Sequence, residues 1–182
     1  MAMKILRYTQ NDTVPVLKHK LKLSPRLQTV ADYIEQGAAV ADVGTDHGML
    51  PAYLALNKLA RNIIATDLSA NSLKTALKNA GKYGVTDMIK FVVADGLDGV
   101  SEDEADTVVI AGVGGETIIK IIEAAPWTKK PGKKLILQPQ TKVDKLCLWL
   151  RENGYAIRDT VLTHDKGRAY TVIIVNWNPS KR

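Results

Sequence analysis

A chain of 182 residues with 46% hydrophobic and 24% charged side chains is long enough to build one self-sufficient core, and this balance excludes a disordered, collagen-like or disulfide-stapled protein. The single cysteine, Cys147, has no partner within the chain and no metal-ligand spacing around it, so it is expected to be a small core hydrophobe, and no metal is expected. A net charge of +6 and a pI of about 9.3 favour a polyanionic partner, while the lack of a long apolar stretch excludes a membrane-spanning helix.

Residues 1–22 show no clear periodicity and are expected to form an irregular N-terminal extension. Met1–Leu21 mixes charge and polarity without the apolar run of a signal peptide, so the expected location is the cytoplasm. Ser24-Pro25 has the form of a helix start, serine as N-cap and proline at the first helical position. Leu27, Val30, Ala31 and Ile34 follow at helical spacing, and Gly37 is expected to end that helix. Short apolar runs then alternate with helical patterns. Strands are expected at Ala38–Val43, Asn62–Asp67, Ile89–Ala94, Thr107–Ala111 and Leu135–Leu137. Between them, Leu73, Ala76, Leu77 and Ala80 mark one helix, Ile118, Ile119, Ile121 and Ile122 a second, and Val143, Leu146, Cys147 and Leu150 a third. After Gly154 the pattern becomes a hairpin, Tyr155–Thr163 and Ala169–Trp177, turning near Asp165-Lys166-Gly167.

Alternating strands and helices imply a parallel sheet covered by helices on both faces, and the terminal hairpin adds an antiparallel last strand. That ending fits a Rossmann-like class I methyltransferase with seven strands better than a dinucleotide dehydrogenase. The domain is expected over residues 23–178, with a tail at 179–182. In such a sheet ligands sit at the carboxyl ends of the strands, and the informative residues stand there. The first strand ends in Asp42-Val43-Gly44-Thr45-Asp46-His47-Gly48. Asp46 stands where a dinucleotide-binding G-x-G-x-x-G needs glycine, and a carboxylate there suits the ammonium or sulfonium of S-adenosylmethionine (SAM) better than a pyrophosphate. The second strand ends in Asp67, placed to accept hydrogen bonds from ribose hydroxyls, and the third in Asp95-Gly96, placed to meet an adenine amine. Three acids at three consecutive strand ends carry more weight than any one of them. The fourth strand ends in Ala111-Gly112-Val113-Gly114-Gly115, which clears space and exposes backbone amides. No Asn/Asp-Pro-Pro-aromatic motif stands there to hold an exocyclic base amine, so a ring nitrogen or another nucleophile is the expected methyl acceptor.

Leu23-Ser24-Pro25-Arg26-Leu27, Ala41–His47 with Leu50-Pro51, Asp95-Gly96-Leu97, Ile110–Gly115 and Leu135-Ile136-Leu137-Gln138-Pro139 occur in this order. Together they resemble the bacterial tRNA (adenine-22-N1)-methyltransferase family over roughly Leu21–Val175. The resemblance implies methyl transfer from SAM to N1 of an adenine in tRNA. It implies a cofactor site of Arg26, Asp42, Gly44, Thr45, His47, Asp67, Leu68, Asp95, Gly96, Ala111 and Gly112, with Asp46 and His47 as catalytic candidates. Two departures stand out: Val113 replaces a usual methionine, and the family's C-terminal helical region is not part of these 182 residues. Basic clusters stand at Lys4, Arg7, Lys18, Lys20, Lys22 and Arg26, at Lys74, Lys78 and Lys82, and at Lys129, Lys130, Lys133 and Lys134. Each is either a solvated face or part of a discontinuous RNA-binding surface, and tRNA recognition is expected to rest on the N-terminal segment and helices, such as Lys18, Lys20, Lys22 and Arg26. A monomer is expected. The competing expectations are an NAD-dependent oxidoreductase and a non-catalytic SAM-binding, RNA-interacting module; His19 and His164 carry no expected role.

Overall fold

The structure is a computed structural model, and it describes residues 4–6 and 20–177. Lys4–Leu6 form β1. Pro25–Asp32 form α1, Ala38–Val43 β2, Met49–Leu56 α2, Ala60–Asp67 β3 and Ala70–Lys82 α3. Lys90–Val93 form β4, Thr107–Val113 β5, Gly115–Ala124 α4, Lys134–Pro139 β6 and Val143–Glu152 α5. Tyr155–Asp165 (β7) and Arg168–Trp177 (β8) complete the fold. The strands make one sheet in the order β1-β4-β3-β2-β5-β6-β8-β7. From β4 through β6 every neighbouring pair is parallel. β8 runs antiparallel to β6, and β7 antiparallel to β8.

The central strands are largely apolar because both faces are covered; all six residues of β2 are buried, whereas the edge strand β7 is mostly exposed or half-buried. Alternate side chains enter two cores. Val40, Ile63, Ala65, Phe91, Val109 and Ile136 face α1, α2 and α3. Ala41, Val43, Ile64, Val108, Ile110, Leu135 and Leu137 face α4 and α5. Each fully buried aliphatic side chain contributes about 1.5–3 kcal/mol relative to exposure, and these two layers hold the sheet together. Cys147 packs on the rim of the second core and is half-buried, not enclosed as expected.

Three features differ from the sequence expectation, and two expected segments lie outside the described residues. The sheet has eight strands instead of seven, because Lys4–Leu6 pairs antiparallel with β4 along its edge; three residues are too few to show a strand period. The rest of the expected N-terminal extension up to His19, with Arg7, Lys18 and His19, and the tail at 179–182 lie outside the described residues. Helix α1 ends at Asp32, before Gly37. Helix α2 is not marked by periodicity because it buries Leu50, Pro51, Ala52, Leu54 and Ala55 around most of its circumference. The start of α1 is as expected, with Ser24 Oγ accepting from Leu27 N at 3.5 Å. So is the β7–β8 turn, where Lys166 (φ 48°) and Gly167 (φ 76°) give the two left-handed residues of a tight hairpin.

Candidate functional site

The chain leaves β2 toward β3 on one side and returns to β5 on the other, so the strand order reverses between β2 and β5. A crevice must open there, at the carboxyl ends of the strands. It does: a cleft of about 520 Å³ is lined by all twelve residues expected from the sequence, from Arg26 through Asp42–His47, Asp67, Leu68, Asp95 and Gly96 to Ala111 and Gly112. Its size falls in the usual range for small-molecule sites. Met49, Leu50, Thr117, Ile121 and Gln140 also line it. Sequence reasoning passes over these because they come from helices and from a loop beyond the strand ends.

The loop after β2 is fixed from two sides. Gly44 N and Thr45 N both donate to Thr66 O, at 2.9 and 3.0 Å. Asp46 adopts φ 51°, a left-handed conformation that aspartate tolerates better than most residues. Its N–H donates to Asp67 Oδ2 at 3.1 Å, and Ser69 N donates to Asp67 Oδ1 at 2.8 Å. Asp67 therefore pins the loop through Oδ2, fixes its own turn into α3 through Oδ1, and keeps a further lone pair on each oxygen for other partners. The Asp46 and His47 side chains project from this anchored backbone, 68% and 64% exposed, with Oδ2 and Nε2 3.4 Å apart. On the outer side, Asn79 Nδ2 donates to His47 O at 3.0 Å.

Below the loop, Asp42 is buried and its Oδ2 accepts from Thr45 Oγ1 at 2.6 Å. Burial raises its pKa to about 6; the Thr45 hydrogen bond opposes the shift and the nearby Asp67 charge adds to it. Arg26, in the first turn of α1, lines the same cleft. Its Nη1 donates to Oε1 of the fully buried Gln138 at 2.6 Å. Its guanidinium lies 5.4 Å from the centre of the Tyr170 ring on β8. Gly112 (φ 84°) passes so near that a Cβ there would sit 3.1 Å from Arg26 Nη1. Neither Gln138 nor Tyr170 is expected at the site from sequence alone. The one available signal is a glutamine directly after the apolar run Leu135–Leu137.

The basic clusters divide. Lys129 lies over the Trp149 and Tyr155 rings, Lys130 pairs with Glu102, Lys133 Nζ donates to Ala105 O at 2.7 Å, and Lys134 pairs with Glu35 at 2.9 Å. These four charges are engaged within the fold. Lys20, Lys22, Lys74 and Lys78 are exposed, on the segment that leads into α1 and on α3. Among the described residues no group of three or more His, Cys, Asp or Glu is placed to hold a metal ion, and no helix is long and apolar enough to cross a membrane.

Comparison with known proteins agrees with this geometry. The methyltransferase-domain family model matches residues 23–173. The tRNA (adenine(22)-N(1))-methyltransferase of Bacillus subtilis is 38% identical over 156 residues, 86% of this chain and 66% of that protein. The crystal structure of the B. subtilis m1A22 tRNA methyltransferase superposes with a TM-score of 0.80 at 37% identity, over 87% of this chain and 68% of that one. A Streptococcus pneumoniae structure in complex with S-adenosyl-L-methionine gives a TM-score of 0.79 at 32% identity, over 84% and 72% of the two chains. The chain thus spans about two thirds of the length of the relatives it matches. A matching domain model, a shared fold and 37% identity across 68% of a solved m1A22 enzyme place this chain in the tRNA (adenine(22)-N(1))-methyltransferase family.

Proposed function

We propose that this protein transfers the methyl group of SAM to N1 of an unpaired adenine in tRNA, position 22 by analogy with its relatives, in the cytoplasm where tRNA is found. The observation that carries this is the set of charges that line one cleft in a chain of that family: acids at the ends of β2, β3 and β4, and an arginine from α1.

The residues fit SAM as a ligand. Asp67 has lone pairs left for two ribose hydroxyls, and Asp95 is exposed at the tip of β4 for an adenine amine. Leu68, 72% exposed on the cleft wall, offers an apolar face for a base. Arg26 supplies a cation for a carboxylate, and the carboxylates near Gly44 suit an ammonium. When bound, SAM supplies an electrophilic methyl on a sulfonium. The chain's own contribution is position and charge. Adenine N1 is a neutral nucleophile, so forming the N1–methyl bond as the S–methyl bond breaks leaves a positive charge on the base. Asp46 stabilises that charge from its fixed loop and accepts a hydrogen bond from the N6 amine. His47, whose Nε2 lies 3.4 Å from Asp46 Oδ2, is the second candidate for the same work on the base.

Two expected results follow here. Asp67→Ala is expected to weaken SAM binding by about 1–3 kcal/mol because its charge-assisted hydrogen bonds are removed. Calorimetric titration measures this, with NAD as a parallel titrant that gives no heat; an unchanged dissociation constant for SAM would remove Asp67 from the cofactor site. For RNA, exchanging Lys20, Lys22, Lys74 and Lys78 for glutamine is expected to lower the salt slope of tRNA binding by about 0.7–0.9 for each phosphate no longer neutralised. The same exchange at Lys129, Lys130, Lys133 and Lys134 is expected to leave that slope alone and lower thermal stability. Filter binding at several salt concentrations distinguishes the sets, and the reverse pattern would move the RNA surface to the β6 side.

A further inference from the structure

We propose that Gln138 and Tyr170 are positioning residues that hold Arg26 with its positive charge uncancelled, so that it can grip the carboxylate end of the cofactor. This rests on the proposed reading of the cleft as the SAM site. Arg26 stands in the first turn of α1, where a cation opposes the helix dipole. Helix stability is therefore no reason for it. Three elements nonetheless fix its guanidinium: its own helix, the end of β6 through Gln138, and the start of β8 through Tyr170.

The chemistry of the partners is the informative part. An arginine tying α1 to the sheet for stability alone would be best matched by a carboxylate. Here the partner is an amide, fully buried, and both of its ends are used: Oε1 accepts from Arg26 at 2.6 Å and Nε2 donates to Pro139 O at 2.9 Å. The second hydrogen bond fixes the amide so that only its oxygen faces the guanidinium. The other contact is an aromatic face, which orients a guanidinium without neutralising it. Among the described residues no carboxylate lies within ion-pair reach of Arg26. Gly112 completes the arrangement, since a side chain there would press on Nη1. The result is a pre-oriented cation in the wall of a cleft that also holds Asp42, Asp67 and Asp95, a set of charges complementary to a zwitterionic ligand.

The test compares S-adenosylhomocysteine with 5′-methylthioadenosine, which has the same nucleoside and thioether but lacks the amino-acid end, carboxylate and ammonium together; the charge on Arg26 acts on the carboxylate. Both are titrated calorimetrically into wild type and variants, with melting temperatures as a check on folding. Gln138→Glu retains the hydrogen-bond acceptor and cancels the charge; it is expected to weaken S-adenosylhomocysteine about tenfold and leave 5′-methylthioadenosine unchanged. Gln138→Met, which removes the acceptor but not the bulk, and Tyr170→Leu are expected to do the same, whereas Tyr170→Phe keeps the ring and binds as wild type; these carry the test if Gln138→Glu does not fold. Undiminished S-adenosylhomocysteine binding by Gln138→Glu would overturn the proposal, as would equal weakening of both ligands in the folded variants, or a wild type that does not prefer the carboxylate-bearing ligand. Failure of the wild type to bind either ligand would instead overturn the reading of the cleft itself.

Discussion

Replacing Asp46 by asparagine is expected to lower the rate of methyl transfer about a hundredfold, the scale set by removing an acid–base or charge-stabilising group. SAM affinity should change much less. Asparagine is the informative substitution because it tolerates the φ of 51° that Asp46 adopts. Alanine there would add backbone strain to the loss of charge and confuse the two. The Asp46 N–H bond to Asp67 Oδ2 at 3.1 Å survives the change, so the loop and Asp67 stay in place. Single-turnover rates and SAM titrations on the same protein separate the effects. A fall in SAM affinity proportional to the fall in rate would make Asp46 a cofactor residue and remove it from the chemistry on the base.

The second large effect is on stability. Gly48 sits at φ 66° and ψ 24° at the start of α2, and a Cβ there would lie 2.6 Å from Ala76 Cβ and 3.0 Å from Ala76 Cα. The Asp46–His47 loop reaches its position only because it passes this close to α3. Gly48→Ala is expected to cost about 2–4 kcal/mol, combining a left-handed conformation with an overpacked contact. Gly37→Ala is the control: φ is 80° there, but nothing lies within 4 Å of the added carbon, so only the conformational part, about 1–2 kcal/mol, is expected. Urea unfolding of the two variants measures the difference. Equal destabilisation would mean that the contact with Ala76 relaxes at no cost and that α3 does not hold the loop.

Much of this site can be read from the sequence for a physical reason. Strands covered on both faces are written as apolar runs, and the residue ending each run must stand at the mouth of the sheet. Asp42, Asp67 and Asp95 are therefore placed by the ends of β2, β3 and β4 without knowledge of any long-range contact. What cannot be read depends on such contacts. Gln138 meets Arg26 across 112 positions of sequence, and Tyr170 reaches it only because β8 folds back beside β6. Helix α2 escapes a sequence reading because a helix buried on most sides has no polar face to reveal its period. The lysines at 129–134 resemble an RNA-binding cluster because sequence shows charges and not their partners; Glu35, Glu102 and two aromatic rings come from elsewhere in the chain.

The most direct test of the central claim is to locate the transferred methyl. Unmodified tRNA carrying an adenine at position 22 is incubated with the protein and SAM bearing an isotopically labelled methyl, then digested to nucleosides and analysed by mass spectrometry, with primer extension to find the modified position. N1 lies on the Watson–Crick edge and is out of reach in a paired base, so the adenine must be unpaired or flipped out at a cost of a few kcal/mol. The expected result is labelled 1-methyladenosine at that one position, abolished when the adenine is replaced by guanine. Labelled N6-methyladenosine, a methyl on another nucleotide, or no transfer by a folded, SAM-binding protein would contradict the account.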